Sequence, residues 1–224
     1  MRESLEETSH SSFFSYQVCN FMRHLLHFKT MFEALLKYIN NYSNSTLSER
    51  EFELIRNAFT QKKIKKKQYF LQEGDVCKHF AFIVKGAMRQ YIIDGKGVER
   101  IVHLGIENWW MGDRESFVNL SPSIYSIDAW EDTEMLLLTR SDTLKLVHQF
   151  PAFDDMIRLM DERNHIASQK RITSSISFSA EKRYADFIKR YPDFLKRFPQ
   201  HIIASYLGIT KETLSRVRKQ ALQK

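Results

Sequence analysis

The 224-residue sequence is poor in cysteine (two), proline (four) and glycine (seven), and it has no long apolar run. Each shortage excludes something. Cys19 and Cys77 cannot supply a disulfide framework, a CxxC pair or a four-cysteine iron–sulfur cluster, and their scarcity fits a reducing cytoplasm. No stretch approaches the roughly 18–20 continuous apolar residues that a bilayer-spanning helix needs, so no membrane partner is expected. The N-terminal stretch opens with Arg2, Glu3, Glu6 and Glu7, and its apolar patch at 13–22 is broken by Ser15, Gln17 and Asn20. It does not read as a secretory signal. Phosphate-cradling glycine loops, a Ser/His/Asp order and paired carboxylates are all missing, so the chain is not expected to be an enzyme.

What is present is a folded composition, 43% hydrophobic and 27% charged, with an uneven charge. Residues 181–224 carry 11 basic and 4 acidic side chains and hold the whole net charge of +7, whereas residues 1–180 balance. A basic tail on a neutral body points to a tail that meets a polyanion.

Six of the seven glycines fall between Gly74 and Gly112, and the next is Gly208. Closely spaced turns of this kind separate strands. Candidate strands are 80–84, 88–93, 98–104, 124–130 and 134–139, with Asp94-Gly95 as a hairpin turn, so residues 67–140 read as a small β sandwich or barrel. Helices bracket it. Ser48 and Glu51 form a capping box with Leu47 and Phe52 as a staple, predicting a helix to about Phe59. Ser141-Asp142 is placed to cap a helix ending at Phe150. From Pro151 to about Ser177 neither glycine nor a further proline interrupts a helix about 40 Å long. On it, Met156, Met160, Arg163, Ala167, Lys170 and Ser174 recur at alternating four- and three-residue steps. That stripe suits either a dimer seam or a face packed on the chain's own sandwich. Ser-rich 173–179 reads as a hinge, and Ser179 as the cap of a helix over 181–191.

The most specific pattern lies at 200–219. Apolar Ile203, Leu207, Ile209, Leu214 and Val217, small Ala204 and a turn at Gly208 have the spacing of a helix-turn-helix. Ala204 lets the two helices approach, and Gly208 accepts the left-handed backbone of the turn. Thr210 caps the second helix, and Lys211, Glu212, Thr213, Ser215, Arg216 and Lys219 stand on or beside its exposed face. Arg216 is suited to a guanine edge, Glu212 to cytosine N4, and Lys211, Arg218 and Lys219 to phosphates.

With these residues in place, the chain resembles the Crp/Fnr family of bacterial transcription regulators over about residues 32–220. The resemblance rests on Gln72-Glu73-Gly74-Asp75, on Gly112-Asp113 with its flanking β segments, and above all on the string from Ala204 to Arg216. It implies an α+β chain with an N-terminal cyclic-nucleotide-binding-like β jelly roll, a long dimerisation helix and a C-terminal all-α helix-turn-helix. It also implies double-stranded DNA, a second copy of the chain and RNA polymerase as partners, in the cytoplasm. The corresponding divisions are an extension at 1–31 (disordered, or the product of a misplaced start codon), a jelly roll at 32–150, a dimerisation helix at 151–177 and a DNA-binding domain at 178–224. By position, Lys211, Glu212 and Arg216 match the family's base- and phosphate-contacting residues.

Departures from the family pattern shape the remaining expectations. Gly112, Asp113, Arg114, Ser123, Ile124 and Tyr125 occupy the family's ligand-binding positions. Members that bind cyclic AMP carry an arginine eleven residues after the glycine, and here that position is Ser123. A buried phosphate without its cation is costly, so cyclic AMP is not expected, and the effector is a different small molecule or none. The β-hairpin wing found after the recognition helix in many relatives is not expected. None of the eight histidines has the His-x-His-plus-Glu setting of a jelly-roll metal site, so no metal is expected. Lys62–Lys67 reads as a solvated connector. Trp109-Trp110 either lines a pocket or supplies one core ring and one partly exposed ring. A ligand-binding or interaction module whose tail contacts protein and not DNA is the competing reading.

Overall fold

A computed structural model describes residues 30–42 and 47–221; the expected extension at 1–31 falls, apart from its last two residues, outside the described residues. Helix α1 (30–42) and α2 (Glu49–Ala58) precede the sheets. The strands are β1 (Phe59–Ile64), β2 (Tyr69–Leu71), β3 (His79–Lys85), β4 (Met88–Ile93), β5 (Glu99–Gly105) and β6 (Trp110–Met111), followed after α3 (Arg114–Asn119) by β7 (Ser126–Ala129) and β8 (Thr133–Thr139). Helices α4 (Arg140–Gln149), α5 (Pro151–Ser177), α6 (Ala180–Arg190), α7 (Phe194–Arg197), α8 (Gln200–Leu207) and α9 (Lys211–Ala221) complete the chain.

The strands form two four-stranded antiparallel sheets in the orders β1-β8-β3-β6 and β2-β7-β4-β5, a jelly-roll-like pair. Both sheets are covered on both faces. Between them lie Leu71, Ala81, Ile83, Met88, Met111, Ile127, Met135 and Leu137. On the far side of the first sheet, Phe82, Leu136 and Leu138 meet Met31, Phe32, Leu35 and Ile39 of α1, Ile55 of α2, and Phe150, Phe153 and Met156. Burial on two faces explains why β8 runs Met-Leu-Leu-Leu instead of alternating with polar residues. On the far side of the second sheet, Ala87, Tyr91, Ile101 and Leu104 share a buried cluster with Tyr184, Phe187, Phe194, Phe198, Ile202 and Ile203 of the C-terminal helices.

Local signals behave as their chemistry requires. The Ser48–Glu51 capping box forms on α2, and Ser179 caps α6. Several boundaries and faces differ from expectation. The β region begins at Phe59, not at 67: β1 is an edge strand on which only Phe59 and Ile64 are buried, so its polar middle conceals it in the sequence. Lys62 and Lys63 therefore belong to a strand, where edge lysines discourage pairing with other chains. Lys63 pairs with Glu134 (3.1 Å) and Lys65 with Asp132 (2.8 Å). Helix α4 is capped by Thr139, whose hydroxyl accepts from the Asp142 amide, and not by Ser141-Asp142. The serine-rich hinge is mostly helix, since α5 continues to Ser177 and only Phe178 and Ser179 separate it from α6.

Only the start of the four/three stripe on α5 packs into the chain's own body; farther along, Lys170 is exposed. Met156 is 1% exposed within the first cluster, and the Arg163 guanidinium lies 4.6 Å from the ring of Tyr42. The opposite side of the helix carries exposed Ile172 and Ile176 (53 and 79%), while Ile166 (45%) shares a groove with Arg163, Ala167 and Lys170.

Candidate nucleic-acid interface

The C-terminal helices reproduce the helix, turn and cap for which the 200–219 pattern asks, with Leu207 and Ile209 only half-buried. Ile203, Ala204, Leu214 and Val217 are at most 3% exposed, so the inner faces of α8 and α9 meet as expected. Gly208 ends α8 with φ +66°, a left-handed conformation that L side chains rarely adopt. Arg183 Nη1 donates to the Leu207 carbonyl (2.9 Å), closing the turn from beneath. The Thr210 hydroxyl accepts from the Thr213 amide (3.2 Å), which starts α9.

The outer side of this pair is a groove of about 500 Å3 lined by Gln200, Lys211, Glu212, Ser215, Arg216 and Lys219. Five of its six lining residues are those that sequence reasoning placed on the recognition face; Gln200, at the start of α8, is the addition. Thr213, by contrast, is partly buried at the helix start. Arg216 makes an exposed ion pair with Glu181 (3.3 Å), a contact that keeps the guanidinium at the rim without removing it from solvent. The Glu212 carboxyl is held below the usual range by its own backbone amide and the Thr210 hydroxyl. The groove thus combines fixed positive charge, one carboxylate and a helix N-terminus, groups that match phosphates and base edges. No strand follows α9 among the described residues.

The six candidate ligand residues lie at and near α3, but only Asp113, Ser123 and the Tyr125 amide are joined, and they are joined to one another. Asp113 is 6% exposed and caps α3: its Oδ1 accepts from the Glu115 and Ser116 amides (3.1 and 3.4 Å). Its Oδ2 accepts from the Ser123 hydroxyl (2.7 Å), whose oxygen in turn accepts from the Tyr125 amide (3.0 Å). Arg114 reaches outward to pair with Asp161 of α5, and Ile124 is 62% exposed. Beneath Gly112 a Cβ would stand 3.0 Å from the ring of Phe80, which itself packs edge-on against Phe117. The acid is spent on the backbone, the cation's position holds a hydroxyl, and aromatic rings fill the adjoining core. A cyclic phosphate finds no paired cation in this set, so these residues do not fit a cyclic nucleotide. Among the described residues no group of three or more His, Cys, Asp or Glu side chains is arranged to hold a metal ion.

Trp109 and Trp110 do not divide into a core ring and an exposed one: both are half-buried, each against a different cluster. Trp110 packs with Phe59 and Phe82, centroids 6.1 and 5.2 Å away. Trp109 lies against Tyr191 (5.7 Å) and Phe194 (5.2 Å) of the C-terminal domain. His103 lies tilted against Trp109 (5.6 Å), and burial, then the charge of Arg171, holds its pKa down to about 4. Sequence reasoning had no means of finding a role for Glu107, Glu131 and Arg197. Arg197 donates to both carboxylates at 2.6–3.1 Å across separations of 66 and 90 residues.

Comparison with known proteins agrees with this architecture. Residues 61–150 match the cyclic nucleotide-binding domain family. A comparison with curated protein sequences gives no match. Among solved structures, FixK2 from Bradyrhizobium japonicum is similar with a TM-score of 0.64 and 20% identity, covering 74% of this chain and 85% of that one. A CooA mutant from Carboxydothermus hydrogenoformans has a TM-score of 0.61 at 19% identity, covering 80% and 82%. A protein described as a Crp/Fnr-family transcriptional regulator from Eubacterium rectale gives 0.57 at 17%, covering 79% and 85%.

Proposed function

We propose that this chain, which carries a cyclic nucleotide-binding domain and the fold of Crp/Fnr-type regulators, is a DNA-binding transcriptional regulator. The observation that carries the reading is the exposed groove on α9, in which Lys211, Glu212, Ser215, Arg216 and Lys219 stand together above the buried Ile203, Ala204, Leu214 and Val217. In a major groove, Arg216 donates to guanine O6 and N7, Glu212 accepts from cytosine N4, and Lys211, Lys219 and the Thr210-capped helix start bind phosphates. Thr213 supports the cap.

The regulator acts as a homodimer joined along α5. Beyond about residue 160 this helix has little of its surface covered by its own chain, and a helical half of that kind is marginal in water without a partner. A second α5 covers Ile172 and Ile176. Two-fold symmetry then places the recognition helices in successive major grooves, and the operator is a pseudo-palindrome with half-sites about 34 Å apart. The cytoplasm is its compartment and RNA polymerase its further partner. Asp113 and Ser123 hold α3 in place, so DNA binding does not depend on a cyclic nucleotide.

Selection of bound genomic fragments, with and without cyclic AMP and cyclic GMP, tests this reading. The expected result is one enriched palindrome, the same in all conditions. Enrichment of no palindrome sinks the regulator reading, and enrichment only with nucleotide overturns the reading of Asp113.

A further inference from the structure

Strand β5 lies at the edge of its sheet, and an open edge offers unpaired amides and carbonyls that proteins normally cover. Here the C-terminal domain covers it. The Ile101 amide donates to Ser205 Oγ on α8 (3.0 Å), and that hydroxyl donates onward to the Glu99 carbonyl (3.2 Å). The guanidinium of Arg171, on α5, donates to the Ile101 and Val102 carbonyls and lies 4.5 Å from the ring of Tyr206 on α8. One side chain from the helix-turn-helix and one from the long helix therefore complete the edge of the jelly roll.

The adjoining surface is fixed by a second device. Arg197, in the short helix α7, sends Nε and Nη2 to Glu131 (2.8 and 2.6 Å) and Nη1 and Nη2 to Glu107 (2.8 and 3.1 Å). Glu107 is itself fixed, because its Oε1 accepts the Gly86 amide at 2.7 Å. Burial pushes the Glu107 carboxyl up, but Arg197 and the Gly86 amide outweigh it and hold it below its usual range. Forked guanidinium–carboxylate pairs fix orientation as well as distance. Around this clamp, Trp109 meets Tyr191 and Phe194, and Trp130 meets Phe198 (6.3 Å) and His201 (6.1 Å).

We infer that the jelly roll and the helix-turn-helix of one chain form a single rigid reading head, with Arg197 as the positioning residue that sets where α9 points. The inference rests on the regulator reading for its consequence in DNA, but not for the contact itself. Two such heads on a paired α5 hold a fixed distance and phase, so operator spacing is read by the sheet face and not by the two-residue link at Phe178–Ser179. An effector that alters this protein has to loosen the outer face of β4 and β5.

Hydrogen exchange on the full-length protein tests the contact without DNA. In the wild type the Ile101 amide is protected, and R197A speeds its exchange about tenfold or more, the scale set by losing charge-assisted bonds. The double variant E107Q/E131Q does the same from the jelly-roll side. R197K keeps the charge without the fork and recovers part of the protection. Circular dichroism of each variant matches the wild type. In DNA binding, wild type discriminates about tenfold against operators whose half-sites are moved by one or two base pairs; R197A binds all spacings within about threefold and single half-sites as wild type does. Wild-type exchange at Ile101 as fast as at an exposed turn amide such as Gly95, or R197A with unchanged exchange, overturns the inference. If no palindrome exists at all, the regulator reading fails and the exchange result alone decides the contact.

Discussion

Helices α3 and α9 each begin with a side chain that accepts a backbone amide, yet the two helix starts have opposite fates. At α3 the cap is the charged Asp113, whose second oxygen is taken by Ser123 and whose neighbours Phe80 and Phe117 fill the adjoining space. At α9 the cap is the neutral Thr210, and the turn that follows presents Lys211, Glu212 and Arg216 to solvent across an open groove. A polar group that the protein satisfies internally is structure, whereas one left facing water beside others of complementary shape is available to a partner. By that criterion Asp113 and Ser123 are scaffold, while the exposed face of α9 is open to a partner.

Substituting Asp113 breaks this comparison most severely. D113A removes the cap of α3 and leaves the Ser123 hydroxyl only the longer bond to the Tyr125 carbonyl (3.2 Å), a loss of about 2 kcal/mol in denaturant unfolding. D113N, which keeps a carbonyl oxygen, costs less. Operator binding by the folded fraction stays indifferent to cyclic AMP and cyclic GMP in both. A ligand site gives the reverse pattern: near-normal stability and a changed response to nucleotide.

On the other side of the comparison, R216A lowers the preference for the operator over a scrambled duplex by about 1–3 kcal/mol. K219A instead weakens binding to both duplexes alike and reduces the slope of affinity against salt by about one. Competition titrations at several salt concentrations separate the two. Full operator preference in R216A would mean that Arg216 does not read a base edge and that its pair with Glu181 (3.3 Å) is its main role.

The two sites were not equally legible. Every element of the α8–α9 unit is local: residues a few positions apart share a helix face, one glycine makes the turn, and one threonine makes the cap. The pattern at 200–219 therefore specifies the groove except for Gln200. The clamp at Arg197 is not local, because no spacing rule links it to Glu107 and Glu131 through two sheets and a 27-residue helix. The stripe on α5 shows a third kind of limit. Its period marks a covered face, but a period cannot say whether the cover is the same chain or another, and Met156 and Arg163 lie against the body of their own chain. The same limit applies to the charge of the tail. Arg197 is bound to the jelly roll, Arg183 to the Leu207 carbonyl and Lys196 to Asp193, so the +7 is only in part a surface for phosphates.

The smallest effect is at the cap of α9 itself. T210A removes the acceptor of the Thr213 amide and costs about 1 kcal/mol of stability, measured as a shift of the denaturant midpoint; T210S restores it. Because the reading side chains keep their helix, the preference between operator and scrambled duplex survives in T210A while affinity for both falls slightly. That pattern separates a residue that builds the recognition helix from one that reads with it. A loss of preference as large as that of R216A would place Thr210 among the base-reading residues and make the two helix starts less alike than their caps suggest.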